Sequence, residues 1–153
     1  MDDGFRSEQS IQDDRRKYSY KQALPIIGEL AQDEAFVEAI NQMKKEQNDL
    51  EKLLHSQRRE ITTMHEGKVK VAKQRANIVG QPITRHDALM LNDNWKKALA
   101  KFDREKVLPL WDDLVSRQQQ KLEKMGVPTM FETQEQDERE KQQKLVKVME
   151  NLV

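Results

Sequence analysis

Three histidines, His55, His65 and His86, are the side chains in this sequence best suited to hold a metal or move a proton near neutral pH. Their spacings of 10 and 21 residues put no two of them on neighbouring turns of a helix. His65-Glu66 begins like the HExxH motif, but Val69 stands where the second histidine would have to be. The chain has no cysteine, so thiolate nucleophiles and thiolate zinc sites are excluded together, and a reducing compartment suits it. Gly4, Gly28, Gly67, Gly80 and Gly126 are each isolated, leaving no glycine-rich phosphate cradle. The adjacent carboxylates Asp13–Asp14 and Asp112–Asp113 would diverge on a helix and form poor acid/base pairs. No catalytic, cofactor-binding or metal-binding set emerges, and the chain is expected not to be an enzyme and to need no cofactor.

Charge is the other chemistry on offer. The 27 basic and 27 acidic side chains cancel, so no global field steers the molecule to nucleic acid or to anionic lipid. Locally the balance fails: Arg58, Arg59, Lys68, Lys70, Lys73 and Arg75 face only Glu60 and Glu66, and Arg85 follows. Such a patch would grip phosphate or an acidic protein surface. No aromatic residue is interleaved between 58 and 79, so a solvated face is the leading expectation and a nucleic-acid-binding module over 58–85 the alternative.

The elements that position these residues are helices. Composition is 35% charged, 36% hydrophobic and 5% aromatic, with 5 Gly and 4 Pro, a mix that favours long helices with narrow buried stripes over a thick core. From Asp33 to about Val79 an apolar heptad runs through polar surroundings: Phe36, Ile40, Met43, Leu50, Leu54, Ile61, Met64 and Val71. A seam of this kind is buried only against another helix. Gln47, Gln57, Lys68 and Arg75 interrupt it, which lowers stability while limiting register and oligomeric state.

Gly80-Gln81-Pro82-Ile83-Thr84 marks a sharp turn, with Gly80 past a helix end and Thr84 capping the next helix. That second helix is expected over 85–125, carrying Leu91, Trp95, Ala98 and Phe102 on one face, then Val107, Trp111, Leu114 and Leu122 on a shifted one. The slip falls beside Pro109, where a kink is predicted. Gly126 and Pro128 stop the helix. Two long helices joined by a short loop make an antiparallel hairpin. Folding about Gln81 and Pro82 places Trp95 near Lys68, a candidate cation–π contact, Phe102 near Ile61 and Leu122 near Asn41.

Around the hairpin, 1–17 reads as a flexible tail and 19–31 as a short helix starting at the Ser19–Gln22 capping box or at Pro25. The helix within 129–153 is expected to start at a capping box, Thr129–Glu132 or Thr133–Gln136, and to act as a docking element. Its stripe Leu145, Val148, Met149 and Leu152, together with Met130 and Phe131, forms the candidate partner-binding set. The expectation is an elongated all-α coiled-coil hairpin with short flanking helices, serving as a scaffold or adaptor subunit of a multiprotein assembly. Its partners would be other helical proteins or a second copy of the chain, with nucleic acid less favoured. No membrane span, signal peptide or presequence is read in the sequence, and the expected location is cytoplasmic or nuclear.

Overall fold

The computed structural model describes residues 15–153, and their regular structure is all helical, with no strand among them. Helix α1 spans Tyr20–Leu30, α2 Glu34–Val79, α3 Arg85–Phe102, α4 Leu108–Lys124 and α5 Gln136–Leu152. A π-helical turn, Asp103–Val107, joins α3 to α4 without a break, so 85–124 is one helix of 40 residues, while α2 alone has 46. The long helices contribute to two compact units, one formed by the chain up to Gln47 and from Asp113 onward, the other by Asn48–Asp112. Of the tail expected over 1–17, residues 1–14 lie outside the described residues. Arg15 and Arg16 are docked: Arg15 Nη1 donates to the Gly126 carbonyl (2.6 Å) and Arg16 Nε donates to Glu123 (2.8 Å).

Helix ends follow local chemistry. Ser19 Oγ accepts the Gln22 N–H at 3.2 Å while Gln22 Oε1 accepts the Ser19 N–H at 2.9 Å, a complete capping box that starts α1 ahead of Pro25. Asp33 caps α2 through the Ala35 N–H (3.1 Å), and Thr84 caps α3 through the Asp87 N–H (3.1 Å). Gly80 (φ 78°) and Gly126 (φ 89°) end their helices in the left-handed region. The N–H groups of Gly80 and Gln81 return to the carbonyls of Asn77 and Ala76, and those of Gly126 and Val127 to Glu123 and Leu122. Both ends are Schellman motifs. The capping boxes expected at Thr129 and Thr133 do not form: α5 begins at Gln136 after an uncapped Glu135. Thr129 instead sits at φ 64°, its N–H donating to the Arg15 carbonyl (2.9 Å) and its carbonyl accepting from Gln142 Nε2 (3.0 Å). Those two bonds fix a backbone conformation that costs a non-glycine residue about 1–2 kcal/mol.

The unit that contains α1 and α5 has the thick core. Ala23 and Ile27 of α1, Phe36, Ile40 and Met43 of α2, Leu122 of α4, Val127, Met130, and Leu145 and Met149 of α5 bury one another. A polar clasp crosses this core. Gln142 Oε1 accepts from Gln119 Nε2 at 2.7 Å, and Gln142 Nε2 donates to the carbonyls of Thr129 and Phe131, each at 3.0 Å. Both glutamines are buried, so α5, which lacks any apolar residue from Gln136 to Lys144, is anchored by amide hydrogen bonds where burial of carbon is absent. Gln47, an interruption of the heptad, is matched on the same unit by Gln118: their side chains bond at 3.1 Å.

The Asn48–Asp112 unit is an antiparallel hairpin with a thin seam. Arg58 pairs with Asp103 and lies 5.9 Å from the Phe102 ring centroid, and His65 stacks on Trp95 at 4.9 Å. Within this unit Leu54 and Phe102 are the buried apolar side chains among the described residues. The expected slip near Pro109 resolves as the π-helical turn. Phe102 and Val107 are five residues apart, which an α-helix would turn about 140° out of line; a π turn hydrogen-bonds residues five apart and restores alignment. The Leu108 N–H donates to Asp103 O in that pattern, immediately before the proline that has no N–H to give.

Three outcomes test this account. Gly67 lies mid-helix with nothing within 4 Å of an added Cβ, so Gly67→Ala is expected to stabilise by about 1 kcal/mol, whereas Gly126→Ala is expected to cost about 1–2 kcal/mol because of its positive φ. Urea denaturation followed by circular dichroism reads both. Gln142→Leu strips partners from the buried Thr129 carbonyl, the half-buried Phe131 carbonyl and Gln119, and is expected to cost on the order of 2–4 kcal/mol. Its exposed neighbour change, Gln143→Leu, should stay within about 0.5 kcal/mol.

Candidate interaction surface

The histidines do not converge. His55 Nε2 is 3.4 Å from Arg59 on the same helix, His65 is stacked on Trp95, and His86 is exposed near the start of α3. No group of three His, Asp or Glu side chains able to hold a metal occurs among the described residues. Nor is any helix among them long and apolar enough to cross a membrane.

The proposed docking stripe at the C-terminus is corrected by the core. Leu145, Met149 and Met130 are fully buried inside the unit, and Val148 packs against it. Withdrawing Leu145 or Met149 for a partner would forfeit about 2–5 kcal/mol each, more than an incremental contact outside would return. Phe131 is half-buried with the Arg16 guanidinium 5.1 Å from its ring centroid. Only Leu152 of that set is well exposed.

The basic residues splay. At about 100° per residue, Lys68 and Arg75 share one side of α2 while Arg59, Lys70 and Lys73 fall within about 60° of one another on the opposite side. Arg58 is engaged by Asp103 and Phe102. The run 58–85 is therefore rich in cations without forming one patch.

The heptad seam is correct over its first half and out of phase over its second. Phe36, Ile40, Met43 and Leu54 are buried and Leu50 and Ile61 half-buried, but Met64 is 65% exposed and Val71 is also exposed. An α-helix drifts about 20° per heptad against a strict seven-residue repeat. Over the four heptads from Phe36 to Met64 that amounts to roughly 80°, close to one residue's step. The inward position passes to the next residue: His65, Ala72 and Ala76 take the half-buried places assigned to Met64, Val71 and Arg75. For the same reason Trp95 has His65 as its stacking partner; Lys68 lines the hollow beside them instead of covering the ring.

What the drift turns outward is a surface. Two hollows lie along the groove between the helices of the Asn48–Asp112 unit and share Leu91 and Asn94 in their walls. The larger, about 460 Å³, is walled by Arg75, Val79, Pro82, Ile83, Asp87 and Met90; the smaller, about 120 Å³, by Met64, Lys68, Trp95 and Ala98. Val79 is 73% and Ile78 86% exposed, and Met90 is exposed beside them. Val79, Met90 and Asn94 were not singled out by sequence periodicity, because their role depends on which sides of two helices flank the groove.

A titratable tie lies elsewhere. Glu132 accepts from Ser116 Oγ (2.6 Å) and Gln120 Nε2 (2.7 Å), and these hydrogen bonds hold its carboxyl below the ordinary carboxylate range. A depressed folded-state pKa gives stability that is present above the unfolded carboxyl value and lost as pH falls through the folded one. Glu132→Gln is therefore expected to lower the neutral plateau of a stability–pH curve slightly and to flatten its acid limb, so that the two proteins converge as pH falls through the folded value, measured by urea midpoints.

No family model, curated protein or solved structure matches this chain.

Proposed function

We propose that the chain is a non-enzymatic helical scaffold or adaptor subunit of a multiprotein assembly, and that it binds helical partners through the groove of the Asn48–Asp112 hairpin. The observation that supports this reading is the contrast between the two units. Apolar stripes of the terminal helices are closed into a core. Those of the hairpin stay open, with Met64, Val79 and Met90 exposed in the walls of the groove and Val71, Ile78 and Leu89 exposed outside it. Exposed apolar side chains are ordinary one at a time, but a contiguous set along a groove marks an interaction site. The groove is flanked by two parallel ridges of side chains, the receptor geometry for a helix read through anchors spaced by three, four and seven residues.

The reading predicts that Met64→Glu with Met90→Glu leaves helical circular dichroism unchanged, since both side chains face solvent in the free chain. The same pair should remove at least one protein that co-purifies with the native chain from its own cells. Unchanged co-purification with a folded variant would refute it.

A further inference from the structure

We infer that the occupant of this groove is an acidic amphipathic helix of another protein. The inference rests on the scaffold reading above and adds the chemistry of the partner. Its floor is apolar at intervals a helix can match: Met64 and Val79 on α2, Leu91 and Met90 on α3. The fifteen residues from Met64 to Val79 correspond to about 22 Å of helix, four turns, which is also the length over which a partner helix could lie against them.

The α2 rim is cationic, and lysines of α3 stand beside the other. Lys68 and Arg75 line the α2 side. On α3, Lys101 follows the lining residue Asn94 by seven residues and Lys97 follows Met90 by seven, so both fall on the side of α3 that carries those two groove residues. All four are exposed, and none has an ion-pair partner among the described residues. The one acidic lining residue is Asp87, at the end near the turn. A partner helix whose apolar seam is flanked by Glu or Asp meets Lys68 and Arg75 with one flank, passes Lys97 with the other, and meets the methionines with its seam. A basic helix would be repelled at the same places.

The same charges argue against a second copy of this chain as occupant. In a two-fold symmetric contact each patch meets its own image, and two Lys68–Arg75 rims would then face each other. Nucleic acid fits less well, because the groove floor is methionine and aliphatic side chain and the remaining cations of α2 point away from it.

The test uses the full chain with Trp111→Phe, so that Trp95, in the groove wall, is the fluorescent reporter. It is titrated with two synthetic amphipathic helices of about three heptads, with Leu at the seam and either Glu or Lys on the flanks. The Glu peptide is expected to saturate and to bind at least about tenfold more tightly than the Lys peptide, a difference of about 1.4 kcal/mol. Lys68→Glu with Arg75→Glu should invert that order.

Equal affinities, an order unchanged by charge reversal, or no binding of either peptide to a folded chain overturns the inference. A concentration-dependent dimer that Met64→Glu with Met90→Glu dissolves also overturns it, in favour of self-association. A duplex oligonucleotide bound more tightly than the Glu peptide, and released by the same charge reversal, overturns it in favour of nucleic acid. If the peptides fail while Met64→Glu with Met90→Glu still loses a native partner, the partner's chemistry is wrong and the scaffold reading stands. If that variant loses nothing, the scaffold reading falls as well.

Discussion

A helix with 3.6 residues per turn cannot keep a seven-residue apolar repeat against one neighbour unless it supercoils, and most of this molecule's behaviour follows from how that mismatch is handled along α2. Near its start the repeat and the buried face agree, so Phe36, Ile40 and Met43 enter a core shared with four other segments. By Met64 the accumulated rotation is nearly one residue, and the buried face has moved on to His65, Ala72 and Ala76. Large residues that the repeat reserves for the seam then look outward, while small ones look in. The outward turn of Met64 and Val71 is thus a consequence of helix geometry acting on a heptad sequence.

On the facing helix a related mismatch is corrected. The five-residue interval between Phe102 and Val107 would carry the apolar face away, and the π-helical turn over Asp103–Val107 absorbs it. One side chain of that turn, Asp103, also pairs with Arg58 across the hairpin. Both partners are largely exposed, so the pair contributes little to stability and more to register. One long helix lets its phase drift and the other resets it. The groove is walled by the drifting part of α2 and by α3 ahead of that turn.

The unit containing the chain's later segments solves a separate problem, which is how to hold a helix whose first half has no apolar residue. Gln142 does so with its amide, taking one hydrogen bond from Gln119 and giving two to the backbone of the segment between α4 and α5. Buried amides are costly when unpaired and specific when fully paired, so this clasp fixes where α5 docks and leaves Leu145 and Met149 to close the core. With the terminal helices held in this way, most of the large apolar side chains that stay exposed among the described residues belong to the hairpin.

The all-helical class and the ends of the long helices were legible in the sequence because they are local. Ser19, Asp33 and Thr84 cap through atoms two or three residues away, and Gly80 and Gly126 accept a left-handed turn for reasons carried by the residue itself. The antiparallel pairing of residues near 58–65 with 95–103 was legible from matched lengths about a short loop. Three things were not. The exposure of Met64 and Val71 depends on rotation accumulated over the four to five heptads from Phe36, which a repeat counted at seven does not contain. The burial of Gln142 and Gln119 depends on each finding the other, twenty-three positions apart, and polar composition reads as solvated until that pairing is seen. Whether the stripe at Leu145 and Met149 closes inward or offers itself to a partner depends on what else reaches it; Ala23, Ile27 and Phe36 do, and only tertiary packing could decide that.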